Sequence, residues 1–110
     1  MRVLIGAVVL MTLTGCAYTL ESVTQEKPEF VAHTDKTPSA YAECLKNSWL
    51  EYGPTFVKPV ASGQRIFTQY SGAVGNAVDA LDSSGKTEVR FYNPNALTPD
   101  KFAAAAKGCL

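Results

Sequence analysis

A chain of 110 residues with 10 basic and 10 acidic side chains has room for one small domain and not for two. Its formal charge of zero supplies no electrostatic drive toward nucleic acid or an anionic surface. One histidine and three cysteines are thin material for a metal centre or a histidine-based catalytic set.

The chain opens with Met1-Arg2, and Arg2 is the only charge before Glu21. Val3 to Leu13 is apolar except for Gly6 and Thr12. A helix needs about 20 apolar residues to cross a bilayer, so this run is too short for a permanent span. A charged start, a short apolar core and an exit through small residues describe a secretory signal peptide over residues 1–15. The exit reads Leu13-Thr14-Gly15-Cys16. This resembles a bacterial lipobox, in which an aliphatic residue, a small residue and Gly or Ala precede a cysteine. The resemblance implies attachment of a diacylglycerol to the Cys16 thiol, cleavage between Gly15 and Cys16, and acylation of the new amino terminus. It implies a lipid-anchored protein of the cell envelope. With Ala17 rather than aspartate after the cysteine, it implies the outer membrane, facing the periplasm. Several acyl chains give stable anchoring where a single chain is marginal.

Cleavage leaves 95 residues with nine basic and 10 acidic side chains. Cys16 becomes a thioether, and Cys44 and Cys109 remain as a pair. In an oxidising compartment a bridge between them is expected, with two free thiols as the alternative. Such a bridge closes most of the domain into one loop, for which chain entropy gives about 4 kcal/mol.

Residues 16–36 read as a lipidated N-terminus and a flexible tether. Pro28 and scattered polar residues leave no sustained helix or strand period. A flexible coil of this length spans roughly 25 Å. The only histidine, His33, falls here and reads as solvated.

Residues 37–110 read as a compact domain. Thr37-Pro38 suits the cap and first position of a helix that runs to about Tyr52. Tyr41, Cys44, Leu45, Ser48, Trp49 and Tyr52 share its apolar face, which makes Trp49 a core residue. Gly53-Pro54 ends it. Thr55–Lys58 is β-prone, and Pro59 marks it as an edge strand. Gln64–Ser71 is rich in strand formers, Gly72 and Gly75 signal a bend or bulge, and Asn76–Asp82 is the weakest strand. Ser83-Ser84-Gly85 turns into a last strand, Lys86–Asn93, with Val89 and Phe91 on one face and Glu88, Arg90 and Tyr92 on the other. Thr98-Pro99 starts a second helix to Lys107, capped by Gly108. The expected fold is α+β, in the order α-β-β-β-β-α, with helices against an antiparallel sheet.

Several chemistries are argued against. Gly85-Lys86-Thr87 matches the end of a phosphate-binding loop, but Ala80 stands where that loop needs glycine and a strand follows where it needs a helix. Neither a nucleotide nor any other cofactor is expected. Glu43, Glu51, Asp79, Asp82, Glu88 and Asp100 could supply paired carboxylates only within a domain that has little room for a cleft. With a helix holding Cys44 and Trp49 and a terminal Gly108-Cys109, the chain resembles small proteobacterial lipoproteins. The expectation is a non-enzymatic envelope lipoprotein that presents a binding or structural surface to a protein partner, with Arg65, Gln69, Arg90 and Tyr92 as exposed contact candidates. The alternative is an envelope inhibitor or exclusion factor, such as a lysozyme inhibitor or a prophage lipoprotein that blocks a receptor.

Overall fold

A computed structural model describes residues 19–94 and 100–110. The expected signal peptide, its Gly15–Cys16 junction and the Thr98-Pro99 helix start lie outside the described residues. Eight elements follow in order: α1 (Leu20–Gln25), β1 (Phe30–Thr34), α2 (Pro38–Leu50), β2 (Thr55–Val60), β3 (Gly63–Tyr70), β4 (Ala73–Ser83), β5 (Lys86–Tyr92) and α3 (Lys101–Gly108). The five strands form one antiparallel sheet in the order β1-β5-β4-β3-β2. The α+β architecture expected from the sequence is present, with two elements added before it.

Those additions correct the tether. Residues 20–25 form a helix and residues 30–34 pair with β5, Phe30 opposite Phe91 and Thr34 opposite Thr87. Phe30, Ala32 and Thr34 alternate toward the sheet side that carries Val89 and Phe91, so the segment has a strand period after all. The Phe30 ring stacks on Phe91 at 5.2 Å. The side chains of Thr19 and Ser22 cap α1 reciprocally, and Val23 is fully buried.

Helix α2 starts as its sequence dictates: the Thr37 hydroxyl accepts from the Ala40 N–H at 3.1 Å, and Pro38 occupies the first turn. Tyr41, Leu45 and Trp49, spaced by four, are all fully buried. They meet Ile66, Val78, Val89 and Phe91 from the sheet and Phe102 and Ala106 from α3. The two polar tips in this core are satisfied: Tyr41 Oη donates to the Ala106 carbonyl at 2.6 Å and Trp49 Nε1 to the Phe102 carbonyl at 3.2 Å. Burial raises the Tyr41 phenol far above its ordinary pKa. Gly108 lies inside α3 rather than beyond it, and Cys109 is the C-cap.

Cys44 and Cys109 are bridged, with their Cα atoms 5.8 Å apart at a sequence separation of 65. Hydrogen bonds around the bridge fix the C-terminus. Lys36 Nζ donates to the Cys109 carbonyl at 2.6 Å, and the Thr34 hydroxyl donates to the Leu110 carbonyl at 3.2 Å.

Two tight turns connect the central strands. Ser71-Gly72 and Ser84-Gly85 have positive φ at both positions (49° and 84°; 53° and 84°), the geometry of two-residue hairpins that match strand twist. Between Phe67 and Gln69 the β3–β4 register shifts by one residue. At this irregularity the Thr68 hydroxyl accepts from the Asn76 N–H at 2.9 Å. Asn76 is fully buried, in phase with Val78 and Ala80, and neither polar atom of its side chain has a hydrogen-bond partner.

Replacing both Cys44 and Cys109 with alanine is expected to cost about 4 kcal/mol, by the loop-entropy argument, and urea denaturation of the oxidised and substituted proteins measures it. The same assay on Asn76→Val should show a gain of about 1–2 kcal/mol, because an unpaired buried amide is replaced by a strand-forming apolar side chain.

Candidate functional site

The sheet has two faces. One is covered by α2 and α3. The other carries Arg65 and Phe67 of β3, Ala77 and Asp79 of β4, Glu88, Arg90 and Tyr92 of β5, and Val31 and His33 of β1, by strand alternation and register. Three of the four contact candidates, Arg65, Arg90 and Tyr92, fall together on this face.

They are not the free surface residues expected. Arg65 forms a two-pronged contact with Asp79, Nε to Oδ1 at 2.6 Å and Nη2 to Oδ2 at 3.0 Å, and the Asp79 side chain is almost wholly buried. The hydrogen bond to Asp79 raises the Arg65 pKa further above its ordinary value, against the opposing effect of partial burial. Arg90 is held by Glu88, with Nε and Nη2 both 2.6 Å from Oε2. His33 lies 3.6 Å from Glu88 on its other side. It therefore sits on a strand opposite a carboxylate rather than in a tether. Tyr92 is buried, packed with Val23, Val74 and Ala77. Burial first, and the Asp79 charge second, raise its phenol pKa, while Arg90 and Arg65 oppose them. Gln69 is half-buried beside the register shift.

The register shift creates this charge row. At the turn, Tyr70 pairs with Ala73 and Gln69 with Val74. Continued without a slip, that register would set Arg65 opposite Val78. The irregularity between Phe67 and Gln69 sets it opposite Asp79 instead. Asp79 in turn stands opposite Arg90, and Arg90 opposite Val31.

The remaining sequence candidates are dispersed. Of the six carboxylates, Asp79 and Glu88 are occupied by arginines on this face. Glu43 lies on α2, Glu51 caps it, Asp82 ends β4, and Asp100 precedes α3. The Thr87 hydroxyl, buried in strand β5, donates to the Lys36 carbonyl at 2.6 Å, so Gly85-Lys86-Thr87 is a turn and strand and not a phosphate loop. Among the described residues no three His, Cys, Asp or Glu side chains gather as a metal site. A shallow groove of about 270 Å³ lies along α2 and the β2–β3 hairpin, lined by Ala42, Lys46, Val57 and Gln64.

Sequence reasoning missed Asp79 as a partner of Arg65 and Asn76 as a core residue. The in-phase spacing of Asn76 with Val78 and Ala80 was the available signal for the second. For the first there was none, since the pairing depends on the slip. Comparison with protein-family models, with curated proteins and with solved structures finds no match.

The row behaves as a partly buried ion pair, in which removing one partner strands the other. Asp79→Ala is expected to lower stability by about 2–3 kcal/mol, while Arg65→Met combined with Asp79→Leu should stay within about 1 kcal/mol of the parent. A double-mutant cycle by urea denaturation distinguishes this from independent effects.

Proposed function

We propose that this protein is a lipid-anchored lipoprotein of the bacterial envelope, non-enzymatic, that presents a binding or structural surface in the periplasm from the outer membrane. The observation that carries the reading is Leu13-Thr14-Gly15-Cys16, placed directly after a short apolar run with a charged start. The cysteine inventory supports it. Three cysteines are odd for an exported chain, and the Cys44–Cys109 bridge leaves Cys16 as the remainder. No described helix is long and apolar enough to cross a membrane, so attachment would fall to the acyl chains. Arg65 and Arg90 are already taken by Asp79 and Glu88, so the surface offered to a partner lies elsewhere on the domain.

Expression in a bacterial host should yield a mature N-terminus at Cys16 carrying acyl chains, read by mass spectrometry of the membrane fraction. Cys16→Ser should leave an unacylated, uncut precursor. Normal processing of that variant, or a free Cys16 thiol in the parent, overturns the reading.

A further inference from the structure

Only Ala17 and Tyr18 separate Cys16 from Thr19, the N-cap of α1. At about 3.5 Å per residue, the Cys16 Cα lies no more than roughly 11 Å from that of Thr19. Helix α1 is itself fastened down: Thr19 and Ser22 close a capping box, and Val23 is fully buried against the cluster of Val74, Ala77 and Tyr92. An anchor at Cys16 therefore holds the domain against the bilayer with little slack.

The chain joins the domain beside one particular end of the sheet. Val74 and Ala77 open β4 directly after the Ser71-Gly72 hairpin, and Leu20 and Phe67 pack at the border of the same cluster. From there the apolar surface continues outward. The Phe56 ring stacks on Phe67 at 5.6 Å, and Tyr70 Oη reaches the Tyr52 carbonyl at 3.5 Å. Phe56, Tyr70 and Tyr52 are 46%, 41% and 37% exposed, and Leu50 nearby on the chain is 48% exposed. Lys101 places its ammonium 4.5 Å from the centre of the Tyr52 ring, with Glu51 as the adjacent carboxylate. The opposite end of the sheet is more polar: the Ala61-Ser62 and Ser84-Gly85 turns, Asp82, and Lys86 paired with Asp35 at 3.8 Å, with Leu110 beside Thr34 as its exposed apolar side chain.

We propose that the end formed by Tyr52, Phe56 and Tyr70 rests in the headgroup layer of the membrane that holds Cys16, with Lys101 toward anionic phosphates. This rests on the lipobox reading. Part-exposed tyrosine rings, with a lysine above one of them, suit an interface where one side is apolar and the other hydrated. The short link from Cys16 selects the lipid surface as the occupant, because it brings this end to the bilayer before any other partner.

The test uses the mature acylated protein in nanodiscs of phosphatidylethanolamine and phosphatidylglycerol that contain a headgroup-spin-labelled lipid. Amide signals of Tyr52, Phe56, Tyr70 and Gly72 should lose intensity several-fold more than those of Ser62, Ser84 and Lys86. Equal loss at both ends, with acylation of Cys16 verified by mass, overturns the docking and leaves the anchor standing. An unacylated Cys16 overturns both. Shifts of the same patch amides that depend on the number of copies per disc, without spin label, assign the patch to a second copy and also overturn it.

Discussion

The bridge between Cys44 and Cys109 is the constraint on which the helical side of the fold depends. Helix α3 has eight residues, too few to be stable alone in water. It stays on the sheet because its C-cap is covalently joined to the middle of α2 and because Phe102 and Ala106 enter the core built by Trp49 and Tyr41. The tyrosine and indole then use α3 carbonyls as acceptors, so the polar tips of α2 are satisfied only if α3 is in place. The same corner reaches the first strand: Thr34 and Lys36 bind the last two carbonyls, and Thr87 binds Lys36. Bridge, helix pair and sheet edge form one connected unit.

What was legible in the sequence was local. The Thr37-Pro38 start and the spacing of Tyr41, Leu45 and Trp49 specify α2 within thirteen residues. Ser84-Gly85 specifies a hairpin because its geometry needs positive φ in adjacent residues. What was not legible was non-local. The strand β1 is five residues long, and its partner lies more than fifty residues away, so its identity as a strand comes from β5. Helix α1 has a single fully buried side chain and no period to display; its support is the sheet surface beneath Val23. Asn76 contradicts the rule that polar residues face out, and only its phase with Val78 and Ala80 along the strand announces the exception.

The two faces of the sheet are stabilised by different physics. The face under α2 and α3 is apolar and aromatic, with Phe91 touching both Phe30 and Trp49. The other face is crossed by alternating charge and is only partly covered by α1. Pairing Arg65 with Asp79 and Arg90 with Glu88 lets that face be half-dehydrated without an isolated charge. The proposed surface role therefore shifts from the arginines named by sequence to the aromatic end of the domain, where side chains are exposed and unneutralised.

The bridge and the first strand share a temporal property. A chain made from its N-terminus presents β1 well before β5 and Cys44 well before Cys109, so the sheet edge waits for β5 and the bridge waits for Cys109. During that interval the only other thiol in the chain is Cys16, and the loop joining it to Cys44 is the shorter one to close. On the proposed lipidation, the thioether at Cys16 acts as a protecting group: it removes the competitor and leaves Cys44 in reserve for the one cysteine that can complete the fold.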